Sequence, residues 1–147
     1  MKSKSLSFEE ERRWFFKRLM QRPCTKFEAA RLLRERGGAE PTVEKLIGEA
    51  LDLQLLDDAA YARLFAEGHR NWGKNREAFE LRRRGVSDED IQAALADIDE
   101  QERAEELVDA WRESGLEKRK IASRLYRRGF SGRTISIVCQ DESEVSF

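Results

Sequence analysis

Apolar residues in this chain recur three and four positions apart, the spacing of one helix face, and no run of alternating β-branched residues competes with that pattern. Phe8, Trp14, Phe15 and Leu19 predict a helix over 8–21, which Arg22-Pro23-Cys24 breaks. Thr25 and Glu28 then have the form of a capping box, opening a helix that runs to Arg36 and stops at Gly37-Gly38. Pro41-Thr42 starts the next helix, expected to bury Val43, Leu46, Ile47 and Leu51. The stretch Leu56–Phe65 organises the chain: Asp57 or Asp58 caps a helix to Arg70, and Tyr61, Leu64 and Phe65 share one face of it. This helix is counted as the third of the first unit.

A similar order returns after Gly73. A helix over 76–84 stops at Gly85, and Ser87 caps the next one, whose buried face is Ile91, Ala94 and Leu95. A helix over 100–113 carries Ala104, Leu107, Val108 and Trp111 and ends at Ser114-Gly115. From Lys118 the order starts again: Ile121, Ala122 and Leu125 form an apolar face, Gly129 stops it, and Ile135, Val138 and Cys139 follow. Arg84-Gly85-Val86-Ser87 matches Arg128-Gly129-Phe130-Ser131 at a shift of 44, and at that shift Leu81 meets Leu125 and Ile91 meets Ile135. Leu33 and Arg36-Gly37 align with Leu81 and Arg84-Gly85 less cleanly, at 48. The reading is an all-α, elongated array of three tandem three-helix repeat units, in which neighbours bury what one unit cannot. The expected divisions are a disordered N-terminus (1–7), unit one (8–72), unit two (73–115), a truncated unit three (116–140) and an acidic tail (141–147).

Charge sharpens this picture. Net charge is −1, yet 118–133 holds seven basic residues and no acidic one, while 88–113 holds eleven acidic residues against two basic. Such separation creates local fields that the total conceals. Two lone cysteines, Cys24 and Cys139, and one histidine, His69, supply neither a zinc site nor a disulfide framework. No phosphate-binding loop, dinucleotide fingerprint or catalytic triad is present, so no enzyme and no cofactor are expected. No apolar run approaches the ~20 residues of a membrane span, no secretory signal is read, and a cytoplasmic protein is the plain reading.

Several segments in this order resemble the RecX family of recombination regulators, over roughly residues 10–140. Arg22-Pro23-Cys24-Thr25 with Glu28, then Arg36-Gly37, resembles the family's opening motif, with Ala29 where Leu is usual. Leu55-Leu56-Asp57-Asp58 with Tyr61-Ala62 and Phe65 resembles its most recognisable segment. Glu80-Leu81-Arg82-Arg83-Arg84-Gly85-Val86 resembles the second-unit motif, and Lys120, Leu125, Arg127-Arg128-Gly129-Phe130 and Ile135 the closing unit. The family's glycine-rich joint is reduced to Asn71-Trp72-Gly73-Lys74, and Glu77 stands where an apolar Ile is common. The resemblance implies a cytoplasmic protein that binds RecA-type recombinase filaments on single-stranded DNA and inhibits their ATP hydrolysis and strand exchange, and no helix carries a spare apolar face for dimerisation, so a monomer is expected.

The candidate contact residues are Arg82, Arg83, Arg84, Lys118, Arg119, Lys120, Arg124, Arg127 and Arg128, for phosphates or acidic protein surface. The plainer alternative is cations in helix C-terminal turns, favoured by the dipole. Tyr61 and Phe65 fit core packing better than base stacking, Asp57 and Asp58 fit capping better than catalysis, and Trp72 fits either a packed joint or a partner anchor. The acidic stretch 97–109 reads as a solvated face, its alternative being a protein-facing patch that repels bare DNA. The rival functions are an autonomous helical nucleic-acid-binding module, which the net charge opposes, and a scaffold indifferent to DNA.

Overall fold

A computed structural model of the chain describes residues 7–140, so the tail and all of the N-terminal segment except Ser7 lie outside the described residues. The described residues form nine helices and no strand: α1 (Phe8–Gln21), α2 (Lys26–Glu35), α3 (Glu40–Asp52), α4 (Asp58–Glu67), α5 (Lys74–Arg83), α6 (Asp88–Ala96), α7 (Glu100–Glu113), α8 (Lys118–Arg127) and α9 (Gly132–Val138). Local chemistry sets most of the ends. Thr25 and Glu28 complete the capping box, and Ser7, Asp57, Ser87, Asp99 and Ser131 each accept a backbone N–H at a helix start.

Three apolar cores hold these helices. The first joins Phe15, Leu19, Ala29, Leu33, Val43, Leu46, Ile47, Ala50 and Leu56, from α1–α3 and the turn after them. The second joins Ala62, Ala66, Leu81, Val86, Ile91, Ala94 and Leu95, from α4–α6. The third joins Ala104, Val108, Ile121, Leu125, Phe130, Val138 and Cys139, from α7–α9. Each unit is therefore a complete triplet, and the expectation of a truncated last unit is corrected. The helices α4 and α7, counted with the unit before them, pack on α6 and α9 of the unit after them. The chain turns between α3 and α4 and between α6 and α7 are short enough for either grouping, so only the packing decides it.

Two expected core residues point outward. Leu51 is 40% exposed while Ala50 is fully buried, and Leu64 is 68% exposed while Ala62 and Ala66 are fully buried. The small residues put the α4 backbone close to α6, and Tyr61 and Phe65 pack at the edge of that core.

The units meet end to end through a repeated joint. Between units one and two, Thr25 Oγ1 donates to the Arg84 carbonyl at 2.6 Å, and the Lys26 N–H donates to Asp58 Oδ1 at 2.8 Å. Between units two and three, the Gly73 and Asn75 N–H groups donate to the Arg128 and Gly129 carbonyls at 2.8 and 3.0 Å, and the Lys74 N–H donates to Glu100 Oε2 at 2.7 Å. In both joints the start of one middle helix meets the end of the next unit's middle helix, and a first-turn carboxylate from the next unit caps it. The second joint is closer: a Cβ on Gly73 would collide with the Gly129 backbone, and one on Gly129 with the Arg76 backbone.

Candidate partner-binding face

The end-to-end joints align the middle helices in the order α8, α5, α2, and the candidate residues lie on the first two. Their positions repeat, but the structure does not bring them to one spot. Arg82, Arg83 and Arg84 end α5 beside unit one, whereas Arg127 and Arg128 end α8 at the opposite tip of α5. A ten-residue helix, roughly 15 Å long, separates them.

The last arginine of each middle helix has a shared structural duty. The Arg36 guanidinium lies 3.5 Å from the Trp14 ring centre, Arg84 4.6 Å from Phe65, and Arg128 5.3 Å from Trp111. In each case the ring comes from the unit's own first helix, so the cation–π contact ties the end of the second helix to the first. Arg84 also donates to Glu80 Oε1 and to the Glu80 carbonyl, both at 3.0 Å. Burial opposes its charge, but the Glu80 hydrogen bond and the nearby Tyr61 outweigh it and hold the group above its ordinary value. Arg128 donates to the Asn71 carbonyl at 3.4 Å across the second joint. These two arginines are half-buried fasteners.

The remaining cations divide by helix. On α5, Arg82 pairs with Asp88 at 3.2 Å and Arg83 with Glu80 at 3.2 Å. On α8, Arg119 reaches Glu117 only at 3.7 Å while 86% exposed, Arg127 donates to the Ser123 carbonyl at 3.5 Å, and Arg124 lies 5.6 Å from the Trp111 ring centre. Lys118, Arg119, Lys120, Arg124 and Arg127 are all exposed. Around Arg119, Lys120, Arg124 and Arg127 the outer face of α8 therefore presents positive charge with little carboxylate compensation among the described residues.

Sequence reasoning passed over Tyr126, which stands on that face 74% exposed. The available signal was its repeat equivalent at the shift of 44, Arg82, a polar outer position. It also missed the ring partners of Arg36, Arg84 and Arg128, which lie about twenty residues upstream and only the tertiary fold brings close.

The altered joint is packed. The Trp72 ring stacks on His69 at 4.1 Å between centres, with the Arg76 guanidinium 4.1 Å from its own centre. Behind it Arg103 from α7, 3% exposed, donates to the Ala66, His69 and Trp72 carbonyls, satisfying the end of α4. Glu77 is fully buried beside these groups, 3.8 Å from Arg103 and 3.7 Å from His69, and neither carboxyl oxygen has a hydrogen bond among the described residues. Burial pushes its pKa up to about 8, against the pull of Arg103, and burial lowers that of Arg103. Glu100 is the contrast. Burial works against its charge, but hydrogen bonds from Thr134, Lys74 and Ser131 hold it below the ordinary carboxylate range.

The described residues contain no cluster of three or more His, Cys, Asp or Glu able to hold a metal, and no helix long and apolar enough to cross a membrane. Asp57 caps α4 and Asp58 caps α2 across the joint, which accounts for that carboxylate pair.

Comparison with known proteins meets this repeat directly. The family model described as "RecX, second three-helix domain" matches residues 57–95, the segment of the second core. Regulatory protein RecX of Mycobacterium sp. (strain KMS) is 37% identical over 139 residues, covering 84% of this chain and 76% of that protein. The protein of the same name from Lactobacillus delbrueckii subsp. bulgaricus is 33% identical, over 84% of this chain and half of the relative. The crystal structure of RecX from Lactobacillus salivarius shares the fold, with a TM-score of 0.82 at 22% identity, across 95% of this chain and 97% of the other. With sequence identity and the three-unit repeat both running nearly the length of the chain, the protein belongs to the RecX family of regulatory proteins.

Proposed function

We propose that this protein binds RecA-type recombinase filaments on single-stranded DNA and inhibits their ATP hydrolysis and strand exchange. It acts in the cytoplasm as a monomer, without a cofactor. Family membership supports the partner class. The observation that carries the contact face is the exposed positive surface of α8, on which Arg119, Lys120, Arg124 and Arg127 meet little carboxylate among the described residues. An elongated repeat offers one long surface to a filament that repeats along its own axis. Arg82 and Arg83 lie at the other tip of α5 and contribute less, because Asp88 and Glu80 already neutralise them. The acidic surface that includes Asp97, Glu102, Glu105 and Asp109 repels bare DNA and directs the protein to the recombinase-coated strand.

The test is single-stranded-DNA-dependent ATP hydrolysis by the cognate recombinase, titrated with this protein. Inhibition well below one molecule per recombinase monomer is expected, and Arg124→Glu with Arg127→Glu weakens it. No inhibition and no filament binding at equimolar ratio would sink the proposal.

A further inference from the structure

Six rings of this molecule are covered by cations, whereas among the described residues the exposed rings of Phe27, Phe79 and Tyr126 are not. Phe8, Trp14, Phe16, Phe65, Trp72 and Trp111 each have a lysine or arginine head group within 5.6 Å of the ring centre. Tyr126 has none, and it has neither a ring contact nor a hydrogen bond among the described residues, although cations surround it. Its neighbours one turn back are Ala122 and Ser123, too short to shield either face of the ring. Arg119, two turns back, shares its face, and Lys120 and Arg127 follow roughly 100–120° around the helix on one side of it. The result is an exposed aromatic ring bordered on one side by a run of positive charge.

We infer that α8 is a single-stranded nucleic-acid contact in which Tyr126 stacks on an unpaired base while Arg119, Lys120 and Arg127 neutralise the flanking phosphates. Three features select this occupant. The charge is complementary to a phosphate backbone, since 118–133 contains no acidic residue. The free ring suits a base, which stacks without regard to sequence, whereas a duplex keeps its bases paired and inside. The corresponding surface of α5 has its exposed ring too, Phe79 at 58%, but its nearby arginines are engaged by Glu80 and Asp88. The contact therefore belongs to the third unit. The inference rests on the filament reading for the source of the strand, and it adds that the strand itself is touched.

The experiment uses the full chain with no recombinase present. Its binding to labelled oligothymidylate is compared, by anisotropy at low salt, with binding to an abasic oligonucleotide of equal length and charge. Wild type is expected to favour the base-bearing strand about five- to a hundredfold, the worth of one stacked base. Tyr126→Ala removes that preference, while Tyr126→Phe and Tyr126→Trp keep it. Lys120→Ala and Arg127→Ala leave the preference intact and each reduce the salt slope by ~0.7. Equal affinity of wild type for the two strands, or an unaltered preference in folded Tyr126→Ala, overturns the inference. If neither strand binds while recombinase ATP hydrolysis is still inhibited, α8 contacts protein, and this inference falls while the regulator reading stands. If the base preference is found without inhibition, the stacking contact stands and the regulator reading falls.

Discussion

Helices α5 and α8 are repeat copies whose side chains have diverged. Both are ten residues long, both end in Arg-Gly, and both turn at a glycine of positive φ, Gly85 at 83° and Gly129 at 89°. In both, the last arginine lies over a ring of the unit's first helix. The outer cations differ. Those of α5 have carboxylate partners at 3.2 Å, whereas on α8 Arg119 reaches the Glu117 carboxylate at 3.7 Å. The inner face differs in the opposite sense: α8 buries Ile121 where α5 buries Glu77, its equivalent at the shift of 44. The two copies share the backbone and the fastening arginine, and the substitutions around them leave α5 with paired outer cations and a buried carboxyl and α8 with the cationic face proposed above as the contact.

The largest effect should come from the glycines that stop the middle helices. Gly37 and Gly129 share a left-handed backbone, with φ of 92° and 89°, but a Cβ on Gly37 meets open space and one on Gly129 meets the Arg76 backbone. Gly37→Ala should cost about 1 kcal/mol, the penalty of the left-handed conformation alone. Gly129→Ala must also separate α8 from α5 and break the hydrogen bonds to Gly73 and Asn75, for a total of about 3–4 kcal/mol. Urea unfolding of the two variants measures the difference. Equal costs would show that the joint contributes nothing to stability.

Next comes Glu77. Its carboxyl is raised from 4.5 to about 8 by burial, so the folded protein binds a proton that the unfolded chain gives up between those values. Stability is therefore greatest below pH 4.5 as far as this group is concerned, and it falls as pH rises toward 8, by up to ~1.4 kcal/mol per unit. Glu77→Gln should flatten that slope between pH 5 and 8, a window in which Glu100, held low, stays ionised. Glu77→Ile, which installs the α8 residue in α5, should raise stability at pH 8 by about 2 kcal/mol, because Arg103 keeps its three carbonyl partners. Denaturant midpoints across that window check both, and an unchanged slope in Glu77→Gln would show that the carboxylate is ionised in the folded protein.

Helix existence, the capping residues and the glycine stops were legible in the sequence because each depends on neighbours within four or five residues. Thr25 with Glu28, Ser87 and Asp57 all cap as their local patterns specify. Membership of a unit was not legible for α4 and α7, since a helix with one apolar stripe satisfies either neighbour and only tertiary packing chooses. The same limit hid the site. Arg84 and Arg128 read as contact candidates or dipole-favoured helix-end cations because Phe65 and Trp111 are distant in sequence, and Tyr126 drew no attention because its exposure depends on how α8 meets α9 and α7. Leu64 misled for a related reason: its helical spacing places it with Tyr61 and Phe65, but Ala62 and Ala66 decide which side approaches α6.

The smallest effect separates the outer cations of the two copies. Arg82→Ala on α5 removes a charge that Asp88 already neutralises, in a pair whose side chains are 61% and 73% exposed. Its effect on stability should stay within about 0.5 kcal/mol, and its effect on filament binding should be near zero at every salt concentration. Arg127→Ala on α8 is equally mild for stability, since among the described residues the Arg127 side chain has no carboxylate partner and only a long bond to the Ser123 carbonyl. It should nevertheless reduce the salt slope of filament binding by ~0.7, one phosphate contact on a single strand. A salt titration of the two variants on recombinase-coated single-stranded DNA reads this directly. Matching slopes would mean that the pairing of α5 cations does not determine which copy makes the contact, and that the functional division between units two and three lies elsewhere on their surfaces.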